Sequence, residues 1–244
     1  MGEHADIILQ CNKITKLFGK IQAVNSISFN VKQGEIYGIA GPNGSGKTTL
    51  FNLISGLFKY EGDIFFENQR ISKLVPHQIC RLGITRTLQT PHLFDSLSVK
   101  DNVRIGCLFG SVDGARNDHR TDEVLDFLNL VEKRDVRAAE ISLWDKKMTM
   151  LAATLATQPK LLMLDEPIAG LNQREADLTE RIIKRINQEM NVTILVIEHF
   201  MKFLTTVSDR LMILENGRKL CCDEPRKVVG NEAVIECYLG RAHA

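Results

Sequence analysis

The run from Gly41 to Thr49, "GPNGSGKTT", combines two things a phosphate needs. One is a glycine-rich turn whose backbone N–H groups can face inward; the other is a lysine and two hydroxyls directly behind it. The spacing Gly41-x-x-x-x-Gly46-Lys47-Thr48 is the P-loop pattern. Lys47 can reach the β- and γ-phosphates of a nucleotide, the Thr48 hydroxyl can ligate Mg²⁺, and Thr49 can hydrogen-bond phosphate, with Pro42, Asn43, Gly44 and Ser45 completing the loop. The competing reading is a glycine turn that happens to carry a lysine. At about 7% glycine per position, chance yields the pattern in about one such chain in a hundred. The apolar run "EIYGIA" stands before the loop, as the pattern requires.

A metal-bound phosphate also calls for acidic groups. "LLMLDEP" closes an apolar run with Asp165 and Glu166; Asp165 can hold Mg²⁺ through water, and Glu166 can polarise an attacking water as general base. Alone, the pair reads equally well as an acidic turn before Pro167. His199, after "TILVIE", is placed to donate to a γ-phosphate oxygen, and Gln89, in "TRTLQTPHLF", to ligand Mg²⁺ or position water. A lone histidine at a strand end is more often structural, and a loop glutamine more often solvated.

These residues need a scaffold that presents strand ends together. Short apolar runs, "IILQC", "EIYGIA", "DIFFE", "LLMLD" and "TILVIE", alternate with helical periodicity such as residues 173–190. That alternation predicts an α/β domain with a largely buried parallel sheet, the N-terminal run and the turn "VKQGE" adding an antiparallel portion. Residues 91–154 lack strong strand patterns and carry helical candidates at 99–107, 121–131 and 146–157. They are read as a helical insertion within a single domain of residues 1–244, whose core is 1–90 and 155–244.

Composition narrows the function classes. With 31 basic and 30 acidic side chains in 244 residues no global field favours nucleic acid or an anionic bilayer, so phosphate recognition is local. The six cysteines show no CxxC pair and read as reduced thiols. "MGEHAD" has no apolar signal region, and Asp6 stands where a myristoylation signal needs Ser or Thr. No apolar run approaches the ~18 residues of a membrane span. The expected location is cytoplasmic.

In order, the P-loop, Gln89, segment 141–145, "LLMLDEP", "AGLN" and "IEHF" resemble the ATP-binding subunits of ABC transporters over essentially the whole chain. "GITRTLQTPHLFDSLSVKDNV", "ATQPKLLMLDEPIAGLN", "SDRLMILENGRKL" and "VIECYLG" are most similar to the branched-chain amino acid uptake type. The resemblance implies a P-loop NTPase with a RecA-like core, ATP and Mg²⁺ as ligands, and a head-to-tail dimer enclosing two nucleotides. It also implies permease subunits in the membrane, a solute-binding protein acting indirectly, and a peripheral position on the inner face of the cell membrane. Phe18 of "KLFGK" becomes an adenine-stacking residue, although an aromatic there is more often core. Gln89 becomes the coupling residue and His199 a γ-phosphate switch. Pro91 to Phe94 would line a groove for a helix of the membrane subunit, with a core-anchored loop as the alternative.

One motif departs from the family pattern. Where Leu-Ser-Gly-Gly-Gln is expected at a helix start, this chain has Ile141-Ser142-Leu143-Trp144-Asp145. Only the Ser142 hydroxyl survives to cradle a phosphate of the opposite subunit. Trp144 adds bulk and Asp145 a negative charge toward a triphosphate, with Lys146 and Lys147 read as a solvated basic pair; Trp144 as a core plug is compatible with this. Because the motif acts in trans, the expected partner is a second, unlike ATPase subunit, a homodimer being the alternative. Soluble ABC-type ATPases of repair or translation, which carry coiled-coil insertions or fused halves, are the alternative class, with a non-hydrolysing regulatory module as a third.

Overall fold

The computed structural model describes residues 7–110 and 117–239, and Asp6 and Gly240 lie outside them. Among these residues two sheets form. The first is antiparallel, in the order β2 (Ile21–Lys32), β1 (Ile7–Phe18), β4 (Glu61–Phe66), β5 (Gln69–Arg70). The second contains β3 (Ile36–Ala40), β6 (Ile84–Arg86), β7 (Leu161–Asp165), β8 (Thr193–Ile197), β9 (Arg210–Glu215) and β10 (Arg218–Asp223), ordered β10-β9-β3-β8-β7-β6. Its strands pair in parallel except for β10, antiparallel at the edge.

Every residue of β3, β7 and β8 is buried, because both faces of the sheet are covered and an unbroken apolar run satisfies both. Alternate side chains serve opposite cores. Ile36, Leu162, Leu164, Ile194, Val196, Leu211 and Ile213 point to a helical layer. Tyr37, Ile39, Leu161, Met163, Leu195, Ile197, Met212 and Leu214 meet the antiparallel sheet and α1 (Lys47–Ile54).

The helical layer includes α3 (Val99–Gly110), α4 (Asn117–Phe127) and α5 (Leu143–Ala156), all lying between β6 and β7 in the chain; α2 (Pro76–Leu82), just before β6, buries Ile79 in the other core. It also includes α6 (Gln173–Met190), which buries Thr179, Ile182, Ile183 and Ile186, one stripe of its surface. Asn172 and Glu175 close a capping box there, each side chain accepting from the other's backbone N–H at 3.0 Å. The chain ends with α7 (Met201–Val207), α8 (Pro225–Val229) and α9 (Glu232–Leu239).

Some boundaries differ from the sequence expectations. The helix expected at 121–131 stops at Phe127, where Leu128 and Asn129 turn, Asn129 at φ 56°. Helix α5 begins three residues before the expected Lys146, because Ser142 caps it. The β9–β10 hairpin was not anticipated, although Asn216-Gly217 carries its mark: both residues have positive φ (48° and 74°), as a tight type I′ turn requires.

Ile183 is fully buried between α6 and the sheet, so Ile183→Ala is expected to cost about 2–4 kcal/mol, read as a lower urea midpoint at unchanged slope.

Candidate functional site

Four parallel strands carry the site at their carboxyl ends, where the sheet stops being apolar and backbone and polar groups emerge. The P-loop leaves β3 and opens α1; Gln89 follows β6; Asp165 ends β7 with Glu166 next; Glu198 and His199 follow β8.

The P-loop glycines are required by geometry at two positions. A Cβ on Gly41 (φ 151°) would lie 2.1 Å from the Leu214 carbonyl oxygen, and one on Gly46 (φ 103°) 2.3 Å from that of Ala23. The loop is thereby pressed against the β9 end and β2 while its other side stays open, nothing lying within 4 Å of a Cβ on Gly44. Lys47 is buried, and its ammonium donates to the carbonyls of Gly41 (2.7 Å) and Pro42 (3.0 Å). Burial lowers its pKa, opposed by Glu166, Asp165 and Glu198. The Ser45 hydroxyl is buried without a hydrogen-bond partner among the described residues, a donor available to an incoming phosphate oxygen.

Asp165 is 4% exposed. Burial raises its pKa, and Arg86 opposes the shift through a 3.0 Å ion pair. The same guanidinium reaches Asn52 Oδ1 (2.6 Å) and Ser55 Oγ (3.3 Å) on and just after α1, so one cation ties β6, β7 and the P-loop helix together. Gln89 donates from Nε2 to Glu166 Oε2 at 2.5 Å. His199 Nδ1 lies 4.0 Å from Glu166 Oε1 and 3.6 Å from Glu198 Oε2. Glu166 has a left-handed backbone (φ 47°), held by its N–H donating to the Ile197 carbonyl at 3.0 Å.

Gln89, Glu166 and His199 are thus gathered in one cluster. Three further residues belong to it that sequence reading missed. Arg86 is one, its only mark being a cation at the end of a short apolar strand. Glu198 is completely buried and accepts from the N–H groups of Ile168 (3.0 Å) and His199 (3.2 Å); burial raises its pKa, those donors opposing it. Lys147 is the third: it is 4% exposed, not the solvated residue expected beside Lys146. The oxygen donors of Thr48, Asp165 and Gln89 suit a hard divalent cation such as Mg²⁺, and the orphaned Ser45 hydroxyl suits a phosphate beside it.

The 141–145 segment corrects one expectation. Asp145 is buried, not directed outward: its Oδ2 accepts from Lys133 Nζ (2.6 Å) and from the Ser142 hydroxyl (2.7 Å). Ser142 Oγ in turn accepts from the Asp145 N–H at 3.1 Å, which starts α5. Trp144 packs against the helical core, its Nε1 buried without a partner among the described residues, while Leu143 remains 45% exposed.

Phe18 is 42% exposed and not core; its ring meets Phe58 edge-on at 5.3 Å beneath the Lys16 ammonium. Pro91 to Phe94 forms no regular element. His92, Leu93 and Phe94 line an apolar cavity of about 400 Å³ with residues of α2, α3 and α5.

Residues 24–169 match the ABC transporter family. The chain is 32% identical to the high-affinity branched-chain amino acid transport ATP-binding protein BraF of Pseudomonas aeruginosa, over 96% of this chain and 98% of that protein. It is 33% identical to LivG of Escherichia coli with the same coverage. Among solved structures, an ATP-binding cassette of an ABC transporter superposes with a TM-score of 0.88 at 30% identity, covering 96% of this chain and 99% of its own. A subunit of the cbiONQ transporter complex of Clostridium perfringens gives 0.84 at 28% identity, covering 97% and 96%.

Replacing Lys133 by Met strands the buried Asp145 carboxylate on Ser142 alone. Equilibrium denaturation should register a loss of about 1–3 kcal/mol, partly regained in the Lys133→Met/Asp145→Asn double variant, where a neutral amide keeps the helix contacts.

Proposed function

This chain belongs to the ABC transporter family of ATPases, and we propose that it powers uptake of branched-chain amino acids as one half of an ATPase dimer. The observation that carries the catalytic part is the convergence of Gln89, Glu166 and His199 at the strand ends beside the P-loop. ATP hydrolysis is the activity of its family; the substrate class is inferred from relatives that span the same length.

In this reading the residues act as follows. Lys47 exchanges the Gly41 and Pro42 carbonyls for β- and γ-phosphate oxygens, a low-cost exchange because its ammonium already lies in the loop. Backbone N–H groups from Asn43 through Thr49 and the Ser45 hydroxyl complete the cradle, at the positive end of α1. Mg²⁺, when bound, offsets phosphate charge and would be held by Thr48, Asp165 and Gln89. Glu166 takes the proton of the attacking water, with Gln89 holding its carboxylate and His199 donating to the γ-phosphate. Phe18, exposed on its strand end, stacks on adenine.

The partner proposals follow from surfaces. No described helix is long and apolar enough to cross a membrane, so attachment to the inner face of the cell membrane would come through permease subunits. The apolar cavity at His92–Phe94 is the seat proposed for a permease helix. A solute-binding protein would act only through the permease. Residues 91–154 are taken as a helical subdomain on the core of 1–90 and 155–244. Segment 142–145 spends its serine hydroxyl on its own helix start and presents side chains where glycines would admit close phosphate approach. The nucleotide facing it would therefore be weakly held, which favours an unlike second ATPase subunit that supplies an intact signature to this chain's Walker residues.

Three outcomes check this. Lys47→Ala should abolish ATP binding, whereas Glu166→Gln should bind ATP normally and lose turnover by at least about 100-fold, measured by equilibrium binding and phosphate release. Affinity isolation from gently solubilised membranes should recover two permease chains and a second ATPase; recovery of this chain alone would defeat the transporter reading. Trp144 is the chain's single tryptophan, so with this chain alone carrying fluorinated tryptophan, its fluorine resonance in the Glu166→Gln complex should shift when ATP closes the dimer; an unmoved resonance would show that the segment does not border the opposite nucleotide.

A further inference from the structure

We propose that Lys147 is a positioning residue for hydrolysis, one ammonium that ties the first turns of α5 to both members of the Gln89–Glu166 pair. The proposal rests on the assignment of Glu166 as general base.

Gln89 and Glu166 are already joined through their side chains at 2.5 Å. Their backbones are joined a second time: Lys147 Nζ donates to the Glu166 carbonyl at 3.1 Å and lies 3.5 Å from the Gln89 carbonyl. The Glu166 carbonyl also accepts from the Ala169 N–H at 3.2 Å. Lys147, Gln89 and Glu166 therefore form a closed ring of contacts drawn from α5, the segment after β6 and the segment after β7.

A lysine is a costly choice for this position. It is 4% exposed, and burial lowers its pKa, with Glu198 and Glu166 opposing the shift. It sits near the amino end of α5, where the helix dipole disfavours a cation. It lines a small cavity together with Thr87, Leu88, Leu164 and Pro167, and fixing so long a side chain forfeits rotamer freedom. A methionine would fill much of the same space without burying a charge, so the donors are what the position uses.

The consequence is mechanical. Glu166 holds a left-handed backbone, and the direction of its carboxylate depends on what holds the peptides on either side. Lys147 holds one of them from the helix whose cap is Ser142. A shift of α5 against the sheet thereby moves the general base and Gln89 together, so the segment facing the opposite nucleotide reports to this chain's own site. Misplacement of a reacting group by about 1 Å can cost about 100-fold in rate.

The test uses the assembled transporter. In Lys147→Met, kcat for ATP should fall by about tenfold or more while KM for ATP and the thermal midpoint stay within about twofold and about 3 °C of wild type. Lys147→Gln, which keeps one amide donor, should retain more turnover than Lys147→Met, and it reads the same quantities if the methionine variant does not accumulate. Wild-type kcat in Lys147→Met overturns the proposal, as does turnover in Lys147→Gln no higher than in Lys147→Met, or a parallel loss of kcat and stability in both. Glu166→Gln is run beside them. If it retains turnover, the assignment of Glu166 fails and the Lys147 role with it; if it is inactive while Lys147→Met is not, only the Lys147 role fails.

Discussion

A parallel strand buried on both faces leaves its carboxyl end as the place where the chain can turn polar. In β3, β7 and β8 every residue is buried, and successive side chains are committed alternately to two cores. Nothing chemical fits along the strands without leaving a polar group unpaired in one core or the other. The strands therefore deliver their polar residues together at one edge, in register with their neighbours: Asp165 pairs with Ile197, one residue before Glu198. The cluster of Gln89, Glu166 and His199 is a consequence of sheet burial before it is a consequence of any motif.

That edge gathers charge of both signs at low exposure. Asp165, Glu198 and part of Glu166 face Arg86, Lys47 and Lys147, and burial opposes the charged form of Asp165, Glu198 and each of these three cations. Buried charges persist only when paired or multiply hydrogen-bonded. Three find a partner on another segment, Arg86 on Asp165, Glu198 on the Ile168 N–H and Lys147 on the Glu166 and Gln89 carbonyls, whereas Lys47 bonds within its own loop. The pairing that offsets their burial also fixes the strand ends relative to one another, which is the preorganisation a hydrolytic site needs.

What was legible in the sequence follows the same division. The P-loop, the central strands and Asp165 with Glu166 could be read because glycine spacing and unbroken apolar runs are local patterns. Arg86, Lys147 and Glu198 could not, because their roles are set by partners 79, 19 and 30 residues away in the chain, and a single cation or carboxylate carries no mark of its burial. Phe18 was legible as an aromatic but not as an exposed one. The turn Asn216-Gly217 carries its own local mark; the start of α5 does not, because a serine such as Ser142 serves equally as a phosphate donor or as a helix cap.

Ser142 shows how a local demand and a distant one compete for the same atom. A helix start needs an acceptor for its free N–H groups, and Ser-x-x-Asp supplies one by reciprocal contact between Ser142 and Asp145. With glycines between serine and a neutral fourth residue, the backbone N–H groups remain open to an external anion. With Leu143 and Trp144 there, the first side chain faces outward and the second closes into the helical core, so Trp144 anchors the turn that its bulk would otherwise disturb. Asp145, neutralised by Lys133, adds no bare charge toward a phosphate. The segment is thus a capped, core-anchored helix start whose serine hydroxyl is already engaged. Through Lys147 the same helix is attached to the Glu166 carbonyl, so in the proposed dimer a shift of this segment would be felt at Glu166 even where the segment holds the opposite nucleotide weakly.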